Sequence, residues 1–336
     1  VNANTLTHGT IFDSVGTILF NMIVNPTTGM IYVTNTELPN EVRFEGPGDY
    51  GGSTVQGHLS ETRISVLNPA GAGTVNPQHL NLHIDYSQLH TDGAPDHSLI
   101  TGQIPHSLAT PLQAVISADG TTIYMAAFGS AKVGVFDVSD IESANFETLF
   151  DPTVESANYI ATGGGPAGLA LDEGSNRIYV YTRFDNSVAA INLATRATVE
   201  THPLFNPEPQ SVVEGRPILY DAVNTSGNGE ASCSSCHIFA DFDSLAWNLG
   251  DPDGSVSTNT QKSASANGFL PAPDPTFHPM KGPMTTQTLR GLSTHGGMHW
   301  RGDRVDGALG LDPCPPNFGG PSGCDEDLSF RNFIVA

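Results

Sequence analysis

The chain has 336 residues, of which 38% are hydrophobic, as expected of a globular protein with a buried core. Acidic residues number 35 and Lys plus Arg only 13, for a net charge of −22. This balance excludes the basic surface of a nucleic-acid-binding protein and disfavours docking on an anionic membrane. No stretch of about 20 apolar residues occurs, so no membrane-spanning helix is predicted. The many Gly (36) and Pro (24) residues favour short strands joined by turns.

Three segments share one strand–turn–strand pattern. They are VNPTTGMIYVTN (24–35), ISADGTTIYMAA (116–127) and LDEGSNRIYVYT (171–182), and each passes through a polar turn with Gly into an Ile-Tyr pair. Such turn residues accept the positive backbone angle of a tight hairpin. A further strand follows each hairpin, at 62–69, 131–138 and 186–193. The sequence therefore predicts three repeated hairpins, each with a third strand.

The Ile-Tyr pairs begin at 31, 123 and 178, a spacing typical of propeller blades apart from one long gap. The strings IYVTN and IYVYT resemble the YVTN-type β-propeller repeat family, over most of residues 15–200. Another antiparallel β domain with repeated hairpins is the alternative. Gly- and His-rich insertions at 36–61 and 70–111 depart from the repeat, and only about three to five blades fit, fewer than most closed propellers need. We expect a mainly β fold with an incomplete set of propeller blades.

The composition changes at 203–217, where several prolines lie in a short polar stretch typical of a linker. We therefore predict a propeller-like domain at 1–210 and a small, mostly α-helical and loop-rich domain at 211–336. Short helices are expected at 217–223, 233–239 and 285–292. The final residues, DLSFRNFIVA, read as the beginning of an amphipathic helix, so we expect the second domain to be truncated at its C-terminal end.

The motif CSSCH places Cys233 and Cys236 directly before His237. On a turn that enters a helix, two thiols at this spacing can add to the vinyl groups of one haem, and the adjacent imidazole can bind its iron. A zinc half-site and a thioredoxin-like redox pair are the alternatives. A zinc site requires a second Cys/His pair at comparable spacing, and the distant Cys314 and Cys324 are poorly placed to provide one. A thioredoxin-like redox pair belongs to a βαβ unit, which the sequence around the motif does not predict. The motif therefore predicts one covalent haem c in a cytochrome c-type domain.

The stretch GRPILYDAVNTSGNGEASCSSCH (215–237) resembles the haem-attachment segment of dihaem cytochrome c peroxidases and their MauG-like relatives. KGPMTTQTLRGL (281–292) and MHWRGDR (298–304) resemble two later motifs of that family, in the same order. The resemblance implies that Cys233 and Cys236 are the thioether sites and His237 the proximal ligand. This chain carries one CxxCH motif, whereas the family has a second haem.

The resemblance also implies a distal ligand. In the family a histidine often precedes the Lys-Gly-Pro stretch, which corresponds to His278 here. Met280 and Met284 flank the same position and are alternative iron ligands, as is Met298. Further alternatives are His295 and His299, and each of these side chains has an ordinary packing or surface role as its plainer interpretation.

Trp300 resembles the family tryptophan that lies between the two haems, with packing on the haem edge as the alternative. Arg301, together with Arg290 and Arg304, is expected to pair with the haem propionates, because a buried carboxylate without a partner is costly. A simple ion pair with Asp303 or Asp306 is the alternative for these arginines.

Three further features carry weaker predictions. Cys314 and Cys324 bracket the loop CPPNFGGPSGC and predict a disulfide in an oxidising compartment. Asp-rich loops at 241–243, 251–254 and 303–312 are candidate Ca²⁺ sites, with solvated turns as the alternative, since none has EF-hand spacing. Four histidines of one insertion are a candidate copper or zinc site: His83, His90, His97 and His106.

These features predict an exported bacterial protein, located in the periplasm, at the cell surface or outside the cell. Its haem would transfer electrons to a redox partner protein or another haem subunit, and the resemblance adds peroxide as a substrate. The alternative is a surface or assembly protein in which the propeller is a binding platform and the haem is an electron relay. No nucleic-acid partner is expected.

Overall fold

The computed structural model describes residues 4–5, 9–42, 58–70, 73–86, 102–250, 257–258, 276–277 and 280–291. The chain divides into two compact units. Unit 1 comprises Val1–Pro39, His58–Asp85 and His97–Ser235, and unit 2 comprises Asn40–Gly57, Tyr86–Asp96 and Cys236–Ala336.

The described part of unit 1 contains three four-stranded antiparallel sheets that resemble propeller blades, each formed by consecutive strands. Sheet I consists of β1 (Ile18–Val24), β2 (Ile31–Glu37), β3 (Glu61–Leu67) and β4 (Val75–His79). Sheet II consists of β5 (Pro111–Ile116), β6 (Thr122–Ala127), β7 (Lys132–Asp137) and β8 (Ile160–Ala161). Sheet III consists of β9 (Pro166–Asp172), β10 (Arg177–Thr182), β11 (Ser187–Asn192) and β12 (Thr198–Pro203). The three predicted hairpins and their third strands are confirmed. The fold is mainly β, as predicted.

The first hairpin turn in each sheet contains a residue with positive φ, a backbone conformation that tight hairpin turns use. Gly29 (φ 75°) provides it in sheet I and Gly120 (φ 76°) in sheet II. In sheet III the residue is Asn176 (φ 53°) and not the Gly174 that the sequence pattern suggested. Asn tolerates this conformation better than most residues with a side chain, which explains how the third repeat keeps its turn.

The core of unit 1 lies between successive sheets. One cluster joins sheets I and II and includes Ile64, Ile123 and Phe136, and a second joins sheets II and III and includes Val133 and Ile178. Along β10 the side chains alternate between buried and half-buried positions, which is the period-2 pattern of a strand packed on one face. The sheets therefore stack in chain order, each against the next.

The first hairpin turns of neighbouring sheets are linked by polar contacts. Asn25 Nδ2 in the first turn of sheet I donates to the carbonyl oxygen of Gly120 in sheet II at 3.0 Å. The backbone N–H of Ala118 in that second turn donates to the carboxylate of Glu173 in sheet III, at 3.1 Å to Oε2. Equivalent turns therefore lie in a row along one end of the stack.

Three short helices follow β7: α1 (Val138–Ile141), α2 (Phe146–Leu149) and α3 (Pro152–Glu155). After β12 the chain forms α4 (Gln210–Tyr220) and α5 (Ala222–Thr225), so the helix predicted at 217–223 is present but begins earlier and is split at Asp221. The α4 residue Arg216 is buried and donates from Nη1 to the carbonyl oxygen of Arg183 at 2.8 Å. The ring of Tyr220 packs on that of Phe128, with centroids 5.0 Å apart. These helices belong to unit 1.

The described part of unit 2 contains a two-stranded sheet of β13 (Ala246–Gly250) with β16 (Met280–Thr285) and the short pair β14 (Ser257–Thr258) with β15 (Thr276–Phe277). The region predicted to be helical at 233–239 forms two 3-10 turns, Cys233–Ser235 and Ile238–Ala240. The helix predicted at 285–292 is wrong over 285–291, where a strand ends and a coil follows, because this segment pairs with β13 and with the loop after His237. None of the described helices is long and apolar enough to span a membrane.

Candidate functional site

The first cysteine of CSSCH lies at the outside of a polar turn in unit 1. Cys233 begins the 3-10 turn and is exposed. The turn is closed by a hydrogen bond from the Ser235 N–H to the Ser232 carbonyl oxygen at 2.9 Å, and the Ser235 hydroxyl accepts from the Ser232 N–H at 3.1 Å. The serines are buried, and burial raises the pKa of the Cys233 thiol. Neither Cys233 nor Cys236 forms a disulfide.

The segment that leads into this turn is anchored to sheet I by Glu230. Its side chain is only 2% exposed, and Oε1 lies 2.7 Å from His79 Nε2 and accepts from Asn81 Nδ2 at 2.9 Å. The preceding Gly229 has φ +80°, and an added Cβ would lie 3.1 Å from the Ile104 Cα, so the close approach requires glycine. The chain is thus held in place three residues before Cys233.

His79 lies in a network of charges. Burial acts to lower its pKa, but the charge and hydrogen bond of Glu230 outweigh burial, and the pKa of His79 is raised. Burial likewise acts to raise the pKa of Glu61, yet the hydrogen bond from His58 and the charges of His79 and Arg63 lower it to about 2. His79 is therefore held in its cationic form against a buried carboxylate.

In unit 2 the imidazole of His237 is oriented by a backbone carbonyl. Its Nδ1 lies 2.6 Å from the carbonyl oxygen of Gln287. A carbonyl oxygen only accepts hydrogen bonds, so Nδ1 carries the proton and Nε2 carries the lone pair. Burial is the main cause of a lowered pKa for His237, which favours the neutral form of the ring. A neutral imidazole with its tautomer set in this way is the form that binds a metal.

The segment around Gln287 is held by a buried carboxylate, Asp243. Its Oδ2 accepts from Trp247 Nε1 at 2.7 Å and from the Thr286 hydroxyl at 2.7 Å, and Oδ1 accepts from the Leu245 N–H at 3.0 Å. Because all three donors bind one buried group, the carboxylate joins the loop after His237 to the segment after β16.

Further contacts join the same two segments. The Leu289 N–H donates to the Ala240 carbonyl oxygen at 2.9 Å, and Arg290 pairs with Asp241, with Nη1 and Oδ2 3.1 Å apart. Phe239 and Ala240 have φ of 50° and 65°, a conformation that side chains with a Cβ rarely adopt. The loop after His237 is therefore closely constrained.

The other predicted residues have separate positions. Met284 is half-buried in β16 and lies opposite Trp247 in the strand register; Met280 is paired with Gly250 in the same sheet. Arg290 pairs with Asp241, which was not among its predicted partners; Asp303 and Asp306 lie outside the described residues. The remaining predicted site residues lie outside the described residues: His278, His295, Met298, His299, Trp300, Arg301, Arg304, Cys314 and Cys324.

Two of the four histidines in the predicted copper or zinc site come together in unit 1. The rings of His83 and His106 are in edge-to-face contact, with centroids 5.7 Å apart; His90 and His97 lie outside the described residues. Burial lowers the pKa of His83 to about 4. Within the described ranges, no group of three or more His, Cys, Asp or Glu side chains is arranged to hold a metal ion, and this includes Asp241 and Asp243 of the candidate Ca²⁺ loop.

Sequence reasoning missed several residues that shape the site. The Gln287 contact is made by its backbone, which no residue type encodes. Asp243 and Trp247 are four positions apart, a weak signal that a buried tryptophan N–H has an acidic partner. Glu230 lies in a Gly/Asn-rich loop, and nothing nearby in the sequence pointed to His79.

No protein-family model matches the chain, and no curated protein sequence matches it. Solved structures that match include hydrazine synthase of Kuenenia stuttgartiensis, at 16% identity and a TM-score of 0.36, over 52% of this chain and 45% of that chain. The periplasmic gluconolactonase PpgL of Pseudomonas aeruginosa matches at 16% identity and a TM-score of 0.31, over 56% and 42%. The β-propeller domain of the Trilobed protease of Pyrococcus furiosus matches at 10% identity and a TM-score of 0.30, over 56% and 44%. In each case the chain spans less than half the length of the structure that it matches.

Proposed function

We propose that this chain is an exported c-type haem protein that transfers electrons, with Cys233 and Cys236 as the thioether sites and His237 as the axial ligand. The observation that carries the proposal is the hydrogen bond from His237 Nδ1 to the Gln287 carbonyl oxygen, which leaves the Nε2 lone pair for iron. It occurs at the histidine that the CxxCH spacing selects. Bound haem would supply a one-electron redox centre.

The residues present fit this group. Both thiols of the motif are outside disulfides, and Cys233 is exposed, as covalent attachment requires. The neutral His237 suits an iron ligand better than a cation would. A predicted disulfide between Cys314 and Cys324 agrees with the same proposal, since covalent haem attachment and disulfide formation both belong to exported proteins.

The test is the absorption spectrum of the full chain, exported from a bacterial host that has the c-type haem maturation apparatus. We expect a c-type spectrum that survives denaturation, because the haem is covalently bound. Cys236→Ser is expected to lose the two-thioether form of the alkaline pyridine spectrum. Cys314→Ser, a cysteine change outside the motif, is the control and keeps that form. A colourless wild-type chain would overturn the proposal and return the motif to zinc or thiol redox chemistry.

Peroxide reduction is the more specific proposal for the same site, supported by the resemblance of 215–237, 281–292 and 298–304 to dihaem peroxidases. It requires an iron face that peroxide can reach, so the identity of the distal ligand decides it, with His278, Met280, Met284 and Met298 as candidates. Adding peroxide to the oxidised protein is expected to change the spectrum within the mixing time. A spectrum indifferent to peroxide would favour the electron relay over the peroxidase.

A further inference from the structure

The carbonyl oxygen that orients His237 is tied to a buried carboxylate. Gln287 accepts from His237 Nδ1 at 2.6 Å, and the preceding residue, Thr286, donates its hydroxyl to Asp243 Oδ2 at 2.7 Å. Asp243 is 5% exposed, so water competes little for this hydrogen bond. A shift of the Thr286 side chain would therefore move the neighbouring carbonyl on which the His237 ring depends.

Asp243 is itself fixed from the other side. Trp247 Nε1 donates to it at 2.7 Å, the Leu245 N–H donates at 3.0 Å, and Trp247 is 4% exposed. Hydrogen bonds to an ionised acceptor are about twice as strong as neutral ones, and a fully bonded buried network is rigid. The Asp243 carboxylate therefore fixes the position of the segment after β16.

We propose that Asp243 is the positioning residue for the His237 imidazole, acting through Thr286 and the Gln287 carbonyl. The inference deepens the proposed function and rests on it for the role of His237 as a ligand. Groups that hold the non-ligating nitrogen of a histidine fix its tautomer and orientation and make it a stronger donor to the metal. The negative charge of Asp243 acts in the same direction, because it favours the more positive, oxidised iron.

The first experiment needs no haem. Long-range ¹H–¹⁵N spectra of the ¹⁵N-histidine-labelled full chain report the tautomer of His237, whose signals are assigned by their loss in His237→Gln. In the wild type we expect the Nδ1–H form. Thr286→Val keeps the shape of the side chain but removes its hydroxyl, and the minor Nε2–H form is expected to increase by up to about tenfold. Thr285→Val, the same change at the exposed neighbouring position, is the control and leaves the tautomer unchanged.

The second experiment uses the haem-loaded chain. The midpoint potential is expected to shift upwards in Thr286→Val and further upwards in Asp243→Asn, which also removes the charge, while Thr285→Val stays at the wild-type value. A purely structural role for Asp243 would lower stability without this order of potentials.

Equal behaviour of Thr286→Val and Thr285→Val in the tautomer measurement would overturn the proposal, as would an unchanged potential in both Thr286→Val and Asp243→Asn. If Asp243→Asn does not fold, Thr286→Val decides alone. If the wild type takes up no haem, the proposed function fails, whereas the tautomer measurement still tests the positioning by Asp243. The two failures are therefore distinguishable.

Discussion

Each of the two units is stabilised internally by a different kind of interaction. Unit 1 is stabilised by apolar side chains packed between stacked sheets. Among the unit 2 residues whose burial the structure describes, Trp247 is the only buried hydrophobic one. The contacts around His237 include hydrogen bonds and an ion pair. Apolar packing tolerates many sequences of similar volume, whereas a polar network fails when one partner is lost. The scaffold and the site should therefore respond differently to substitution.

The largest effect is expected in the core of unit 1. Ile178 is fully buried between sheets II and III, so Ile178→Ala should lower the free energy of unfolding by about 2–5 kcal/mol, through lost burial and a cavity. Val199 on β12 is 53% exposed, and Val199→Ala should change it by less than about 0.5 kcal/mol. Urea unfolding measures both. Similar values for the two variants would contradict packing between the sheets.

The next effect concerns a charge pair inside the apolar unit. Glu230→Gln leaves the cationic His79 without its carboxylate and should cost on the order of 3 kcal/mol at pH 6. Because the folded-state pKa of His79 is raised, its contribution is complete below the unfolded pKa of about 6.5. It is lost as pH rises through the folded value, so the difference between wild type and variant should shrink towards pH 9.

The control for this prediction is the exposed pair His202–Glu200, with side chains 60% and 56% exposed. Glu200→Gln should leave the pH dependence of unfolding unchanged. In the Glu230→Gln variant the charges of Glu61 and Arg63 still act on His79, the first raising its pKa and the second lowering it. If the loss of unfolding free energy in Glu230→Gln stayed constant between pH 6 and pH 9, the His79–Glu230 pair would not be the source of the stabilisation.

A smaller effect is expected in unit 2. Trp247→Phe keeps a ring in place but removes one of the three donors to Asp243, which should cost about 1–2 kcal/mol. The loss should appear in hydrogen exchange as faster exchange at 243–247 and 286–289, with sheets I to III unaffected. Uniform acceleration in both units would show that the network is not a local element.

The smallest effect is expected at the surface of unit 2. Arg290 is 63% exposed in its ion pair with Asp241, and exposed pairs contribute little. Arg290→Ala should leave the urea midpoint within experimental error at 0.15 M salt. A clear loss that disappears at 1 M salt would mean that this pair is a working part of the network.

Much of unit 1 was predictable from its sequence. The Ile-Tyr hairpins at 31, 123 and 178 follow a period-2 pattern with turn residues in place, and their third strands lie where predicted. The site was predictable only as a motif, because CSSCH specifies thiols and an imidazole by spacing. The hydrogen bonds that orient His237 were not predictable from the sequence. Gln287 contributes a backbone carbonyl, and Asp243 bonds to Thr286, which is distant from it in sequence. The helix expected at 285–292 is absent over 285–291, because Thr285 pairs with β13 and the residues after it bond to Asp243 and Ala240.

The row of linked first turns in unit 1 bears on where the chain can accept extra residues. Asn25 contacts the turn at Gly120, and Ala118 contacts Glu173, so lengthening any of these turns would disturb a neighbour as well. In an antiparallel meander the connection after the second strand leaves from the opposite end. Inserted tags and loops are therefore expected to be rejected at these three turns.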